Sequence, residues 1–267
     1  MLLEIQNVYK SYKKSIGMIK KESVEIVKGV SLRLKEGECL GIIGESGSGK
    51  STLGRLIIGL EKVDRGNIQI EGIDISKLNS TFLKKKASVV FQDYSSSVNP
   101  RFRVIDILSE PIKTFEKLTK KHTIKKAINL LEKVGLAEEY LYRYPHQLSG
   151  GQLQRVCIAR AIATNPKFIV LDEAISSLDV SVQVQVLDLL IELKKQMAIS
   201  YIFITHDLTA ITYICDRVLF FKDGLVIEEV NAMSDLRNVK EEYSRTLLHA
   251  AMMMNEREET YEIQRIS

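Results

Sequence analysis

No apolar run in this chain approaches the roughly 18 residues that would cross a bilayer; the richest stretches, such as Phe168 to Leu171 and Val218 to Phe221, are short. A membrane role, if there is one, is exercised from outside the lipid. The start, Met1-Leu2-Leu3-Glu4-Ile5, lacks the basic residues, apolar stretch and small-residue cleavage site of a secretory signal, so a cytoplasmic location is expected. Cysteine is scarce: Cys39, Cys157 and Cys215 are odd in number, widely spaced and set among apolar neighbours. Buried thiols are expected there, in place of a disulfide or zinc framework. Charge of one sign is also lacking. The net charge of +4 is mild, and the basic runs Lys84-Lys85-Lys86 and Lys120-Lys121 carry no interleaved aromatics, so they read as solvated helix faces and no nucleic-acid partner is expected.

What is present is the balance of a globular protein, 267 residues long, enough for one core with a smaller subdomain. Residues 1–12 and 24–43 carry strand patterns, with Val30 to Leu34 alternating apolar and polar side chains. The polar stretch from Lys13 to Ser23 between them reads as a hairpin loop. After a glycine-rich turn, Leu53, Leu56, Ile57 and Leu60 mark a buried helix. From about Tyr94 to Asn165 the pattern becomes helical: Ile124, Ile128, Leu131 and Val134 recur at helical spacing and Gly135 stands as a stop. Strand signal returns at Phe168 to Leu171 and Tyr201 to Ile204, with a helix through Leu187, Leu190 and Leu193 between them. Continuous apolar strands alternating with helices predict a parallel sheet covered on both faces. The expected class is therefore α/β, with the helical segment 94–165 inserted into a domain spanning 1–230. The extension 231–267 is weakly periodic and reads as a peripheral helix or a partly disordered tail.

Gly44-Glu45-Ser46-Gly47-Ser48-Gly49-Lys50-Ser51 fits the phosphate-loop pattern G-x-x-x-x-G-K-[ST] in full, between a strand and a helix. Glycines let the backbone N–H groups turn inward, and the helix entered at Lys50, Ser51 and Thr52 adds the positive end of its dipole. Lys50 would neutralise the β- and γ-phosphates of ATP, and the Ser51 hydroxyl would ligate Mg²⁺. Asp172 and Glu173 emerge from the apolar run Phe168 to Leu171, at the strand edge where open α/β sheets bind ligands. Asp172 is the candidate for the Mg²⁺ shell and Glu173 for the base that activates water. A second glycine-lined helix start, Leu148-Ser149-Gly150-Gly151-Gln152, has no evident use for the same nucleotide, which suggests service to a nucleotide on another subunit.

With these residues the chain, from about Leu3 to Glu228, resembles the ATPase subunits of ABC transporters, Leu148 to Gln152 matching that family's signature. The resemblance implies a P-loop NTPase (RecA-like) core with an N-terminal antiparallel β subdomain and an inserted helical signature subdomain. It implies a head-to-tail dimer in which Ser149, Gly150, Gly151, Gln152 and, through the loop Ser177-Leu178-Asp179, Asp179 act in trans on the partner's ATP. Gln92 is similar to the family's glutamine that touches Mg²⁺ and the attacking water, and His206 to its switch histidine. Tyr12 is similar to the aromatic that stacks on adenine, with Tyr9 as the alternative.

Phe91-Gln92-Asp93, Val98-Asn99-Pro100-Arg101 and Glu110-Pro111 resemble the oligopeptide, dipeptide and nickel importer branch. Leu148 to Ala161 and Asp172 to Asp179 are similar to the second ATPase subunit of nickel importers. The resemblance implies a second ABC ATPase subunit (a paralogue or another copy), two integral permease subunits, an extracytoplasmic solute-binding protein, and a peripheral position on the cytoplasmic face of the membrane. Cargo stays open between nickel, a metal chelate and peptides. Glu242 to Leu248 resembles a C-terminal segment of that branch but lacks the proline before Tyr243, and no cysteine follows Cys215 to build an iron–sulfur centre. Two other readings share the phosphate loop: a soluble ABC ATPase acting on DNA, which would carry long heptad arms, and a non-hydrolysing scaffold, which would not need Glu173 and His206.

Overall fold

The computed structural model describes residues 1–16 and 20–251. Two sheets organise them. The first is antiparallel, ordered β2-β1-β4-β5, from β1 (Leu3–Ile16), β2 (Lys20–Leu34), β4 (Arg65–Ile70) and β5 (Ile73–Asp74). The second is ordered β10-β9-β3-β8-β7-β6, from β3 (Cys39–Ile43), β6 (Ala87–Val90), β7 (Phe168–Asp172), β8 (Ser200–Thr205), β9 (Arg217–Lys222) and β10 (Leu225–Val230). Its strands run parallel except β10, which turns back against β9.

The apolar runs are continuous because both faces of the second sheet are buried. Leu40, Ile42, Phe168, Val170, Ile202 and Ile204 point to one core, shared with the antiparallel sheet and α1 (Lys50–Ile57). Ile43, Ile169, Leu171, Tyr201 and Phe203 point to the other, shared with α3 (Val104–Phe115), α4 (Lys120–Lys133), α5 (Gly150–Ile162), α6 (Val180–Met197) and α7 (Leu208–Ile214). A short α2 (Ser80–Lys86) precedes β6. In chain order α3, α4, two 3₁₀ turns and α5 stand between β6 and β7.

Three sequence readings change. The stretch 13–23 is largely strand, β1 running to Ile16 and β2 starting at Lys20, with register continuing through Tyr12↔Val24 and Lys14↔Glu22. Lys13, Lys14, Glu22 and Ser23 are exposed, so no core face imposed an apolar alternation there; residues 17–19 of that stretch lie outside the described residues. Leu60 lies beyond the end of α1 and is 57% exposed. In α4 the buried stripe runs through Thr123, Ala127, Leu130 and Leu131, while Ile124 and Ile128 only flank it. For the chain after Val230 the two alternatives are a peripheral helix and a partly disordered tail; a 3₁₀ helix (Met233–Asn238) and a helix over 242–251 bury Leu236, Val239 and Leu248 in the larger core. Residues 252–267 of the expected tail lie outside the described residues.

All three cysteines are buried thiols, the Cys39 and Cys215 sulfurs 3.6 Å apart, and burial pushes the Cys157 and Cys215 thiols up. The thiolate is the reactive form. The native protein is accordingly expected to react slowly with an aromatic disulfide reagent, and fully once denatured, as followed by absorbance.

Candidate functional site

Parallel pairing carries the ends of four strands to one edge. Val90 is level with Leu171, Asp172 with Ile204, and Ile43 with Thr205. The residues that follow emerge together: Gln92 beyond β6, Asp172 and Glu173 at β7, His206 beyond β8 and the loop Gly44–Gly49 beyond β3.

The loop enters α1 at Gly49, whose φ of 104° is left-handed and whose Cβ position would lie 2.6 Å from the Ile26 carbonyl; both facts demand glycine. No side chain caps α1, so its first N–H groups stay available to a ligand. The Lys50 ammonium is buried and folds back onto the loop, donating to the carbonyls of Gly44 and Glu45, both at 2.7 Å. Burial lowers its pKa, and the carboxylates of Glu173, Asp172 and Glu45 partly oppose that. Across from it the Ser51 hydroxyl donates to Asp172 Oδ1 at 2.9 Å. Asp172 is buried, which raises its pKa, while the Ser51 hydrogen bond pulls it down. A buried cation and a buried anion thus stand near one another at the loop, each held at a cost that a phosphate and a metal would relieve.

Glu173 turns away from the strand in a left-handed conformation (φ 48°), its N–H donating to the Ile204 carbonyl at 2.8 Å. Its Oε2 lies 3.5 Å from His206 Nδ1. Glu173 is 13% exposed and His206 56%, so the pair opens from the protein toward solvent. The next residue, Asp207, caps α7, its carboxylate accepting the N–H groups of Thr209 and Ala210. The loop onward to Asp179 is tied by Gln154 to the Ala174 carbonyl (2.5 Å) and by Gln183 to the carbonyls of Ile175 and Leu178 (3.1 and 3.0 Å). Asp179 is exposed before α6 and its side chain caps nothing.

Ser149 and Gln152 close a capping box at the start of α5, the hydroxyl accepting from the Gln152 N–H (3.3 Å) and the amide oxygen from the Ser149 N–H (3.0 Å). Gly150 and Gly151 are needed for packing within the chain: a Cβ would come 2.8 Å from the Tyr94 hydroxyl at the first and 2.5 Å from Val182 at the second. The signature glycines therefore answer a close approach as well as an anion-ready helix start.

The protein-family description "ABC transporter" matches residues 27–176, more than half of the chain. The chain belongs to the ABC transporter family. It is an ATP-binding cassette, and ATP hydrolysis in that family is coupled to transport. Among curated relatives, the metal-staphylopine import system ATP-binding protein CntF of Staphylococcus aureus is 45% identical over 247 residues, covering 92% of this chain and 98% of that one. The oligopeptide transport ATP-binding protein OppF of Lactococcus lactis is 42% identical over 86% of this chain and 73% of its own. Among solved structures, the dimeric post-hydrolysis state of the cassette MJ0796 bound to ADP and Pi superposes with a TM-score of 0.75 at 32% identity, over 85% of this chain and 97% of that one.

In this ABC cassette the two tyrosines of β1 differ. The Tyr9 ring lies under the Arg65 guanidinium (4.1 Å) and against Gly29, whereas Tyr12 is 38% exposed and hydrogen-bonds Glu61 through its hydroxyl. Two residues escaped sequence reasoning. Tyr94 joins the segment after Gln92 to the signature helix through Gly150, and the Arg160 guanidinium strengthens that joint by donating to the Ser97 carbonyl at 2.6 Å. Tyr243 reaches the phosphate loop itself. Only the likeness of its neighbours to a C-terminal segment of the family could have drawn attention to it.

Proposed function

We propose that this ABC ATPase powers an importer whose membrane-spanning subunits are separate chains, taking up nickel or a metal chelate, or di- and oligopeptides, from an extracytoplasmic binding protein. The observation that carries the reading is the near full-length match to CntF, whose name assigns it to metal-staphylopine import; the OppF match supports the peptide alternative. No helix among the described residues is long and apolar enough to cross a membrane, in keeping with a peripheral place on the cytoplasmic face. A cleft of about 780 Å³ between Glu110, Pro111 and Thr114 of α3 and Ile58, Val63 and Val89 of the core offers a seat for a permease element. Co-expression with candidate permeases and a binding protein, followed by uptake of nickel, of a metal chelate and of a short peptide, tests this. Uptake of none of them in an ATP-dependent way overturns it.

The residues take these roles. The N–H groups of Gly44 to Thr52 and the Lys50 ammonium bind the phosphates. Ser51, Asp172 and Gln92 offer a hydroxyl, a buried carboxylate and an amide, the oxygen donors that suit Mg²⁺, which usually adds substrate phosphates to one or two carboxylates. A Mg²⁺ held by them would supply positive charge to offset the charge of the phosphates. Glu173 accepts a proton from the water that attacks the γ-phosphorus as the bond to ADP breaks, and His206, beside it, orients that water. Ser149 to Gln152 and Asp179 act on the ATP of a second ATPase subunit, a paralogue or another copy; the likeness to MJ0796, a cassette solved as a dimer, supports the pairing of two cassettes.

Tyr12 stacks on adenine. Stacking of a base on an aromatic is worth about 1–3 kcal/mol, so Tyr12→Ala is expected to weaken ATP binding about 5- to 150-fold in titration calorimetry. Tyr9→Ala, which removes a ring packed between Arg65 and Gly29, is expected to lower the melting temperature with a smaller effect on affinity.

A further inference from the structure

The peptide unit joining Gly44 to Glu45 is gripped at both ends. Its carbonyl accepts from the Lys50 ammonium at 2.7 Å, and its N–H donates to the Tyr243 hydroxyl at 3.1 Å, across 198 positions of sequence. Tyr243 is held in turn. Its O–H lies 3.4 Å from the Phe221 carbonyl, and the Lys222 ammonium stands 4.8 Å over its ring. The helix 242–251 that carries it is aimed by Glu228 of β10, whose carboxylate accepts the N–H groups of Lys240 (2.7 Å) and Glu241 (3.2 Å), and is anchored by buried Leu248. The β9–β10 turn completes the mount: Gly224 donates to the Ser48 carbonyl at 2.9 Å, and the Phe221 carbonyl leaves no room for a Cβ at Gly44.

We propose that Tyr243 is a positioning residue for the phosphate loop, locking the Gly44–Glu45 peptide so that Lys50 is aimed at phosphate, and that the C-terminal segment thereby sets the affinity for ATP. A peptide plane fixed by one bond can swing about the other. Without the tyrosine hydroxyl the Glu45 N–H loses its partner, and the Gly44 carbonyl that orients Lys50 is free to rotate. The inference rests on the ATP-site reading above and extends it, since Tyr243 itself touches no reacting atom.

The test is Tyr243→Phe in the full chain, which removes only the hydroxyl. One neutral hydrogen bond is worth about 0.5–1.5 kcal/mol, or roughly 2- to 13-fold in an equilibrium constant. ATP with Mg²⁺, titrated calorimetrically, is expected to bind within that range more weakly. In the assembled transporter the KM for ATP should rise in proportion while kcat at saturating ATP stays level, a split that general loosening of the fold would not produce. Glu228→Ala, which frees the helix start, should weaken ATP binding in the parent and add little in the Tyr243→Phe background. Unchanged affinity in Tyr243→Phe, or a fall in kcat with KM constant, overturns the proposal. If the parent chain itself bound no ATP and Lys50→Ala changed nothing, the ATP-site reading would fail instead, and the two failures are thereby distinct.

Discussion

Glu173→Gln is expected to cut ATP turnover by about two to four orders of magnitude, the usual contribution of a positioned general base, while ATP still binds. The glutamine amide matches the carboxylate in shape, so the left-handed turn at 173 and the N–H bond to the Ile204 carbonyl should persist. What is lost is the oxygen that accepts a proton beside His206. Phosphate release from the assembled transporter measures turnover, and size-exclusion chromatography in ATP and Mg²⁺ with the partner ATPase present measures the second consequence: a nucleotide that is held and not cleaved should keep two cassettes together. Turnover within a few-fold of the parent would remove Glu173 from the base's role. A variant that stays monomeric in ATP would contradict the shared site.

Lys50→Ala should separate nucleotide binding from folding. The ammonium is buried with its pKa lowered, chiefly by desolvation, so in the free protein it is held charged against its environment. The sign follows from that direction: a lysine whose folded pKa lies below its unfolded value destabilises the fold when charged, at every pH below the folded value, and near pH 7 its removal takes that cost away. The two bonds it makes to the Gly44 and Glu45 carbonyls offset part of it, so the melting temperature of the free variant should stay close to the parent's. Truncating one partner of a buried charge pair costs about 2–5 kcal/mol, hence ATP affinity should fall about 30-fold or more. In the parent, ligand at 100 times its Kd stabilises by about 2.7 kcal/mol. The variant should show almost none of that thermal shift at the same ATP concentration. A full shift in Lys50→Ala would show that the ammonium does not contact phosphate.

Asp172 works in the opposite sense. Burial raises its pKa, so its ionised form opposes folding as pH climbs through and above the ordinary carboxylate range. Divalent metal bound at Asp172 and Ser51 would relieve that, which is why the site should be more stable with Mg²⁺ and nucleotide together than with either alone.

Much of the site was legible because its physics is local. A loop that must bring its N–H groups to a phosphate needs glycine at stated positions, as Gly49 with its left-handed backbone and close Ile26 carbonyl shows. An apolar strand that ends in two carboxylates announces its burial and marks the candidate ligand edge, and Phe168 to Glu173 does so within six residues. The strand ends over 13–16 and 20–23 are illegible for the complementary reason: exposed Lys13, Lys14, Glu22 and Ser23 carry no apolar period, so nothing local distinguishes strand from loop. Ile124 and Ile128 looked like core because apolar spacing marks a helix face without saying which part of it meets a neighbour. Between a peripheral helix and a partly disordered tail the local pattern does not choose for 242–251, because the helix's anchors, the Glu228 carboxylate and the core around Leu248, come from other parts of the chain.

The sequence by itself determined that this protein has a glycine-rich loop of phosphate-loop pattern, an apolar strand ending in two carboxylates and a second glycine-lined helix start, since each is written in contiguous residues whose backbone freedom, charge and apolarity act over a few ångströms. Only the tertiary structure decided that Gln92, Glu173 and His206 share an edge with that loop, because strand order and parallel register are set by long-range pairing. It alone set Tyr243 on the Glu45 N–H, a contact 198 residues apart that no local pattern encodes, because a hydrogen bond between distant segments exists only once the cores beneath both have closed.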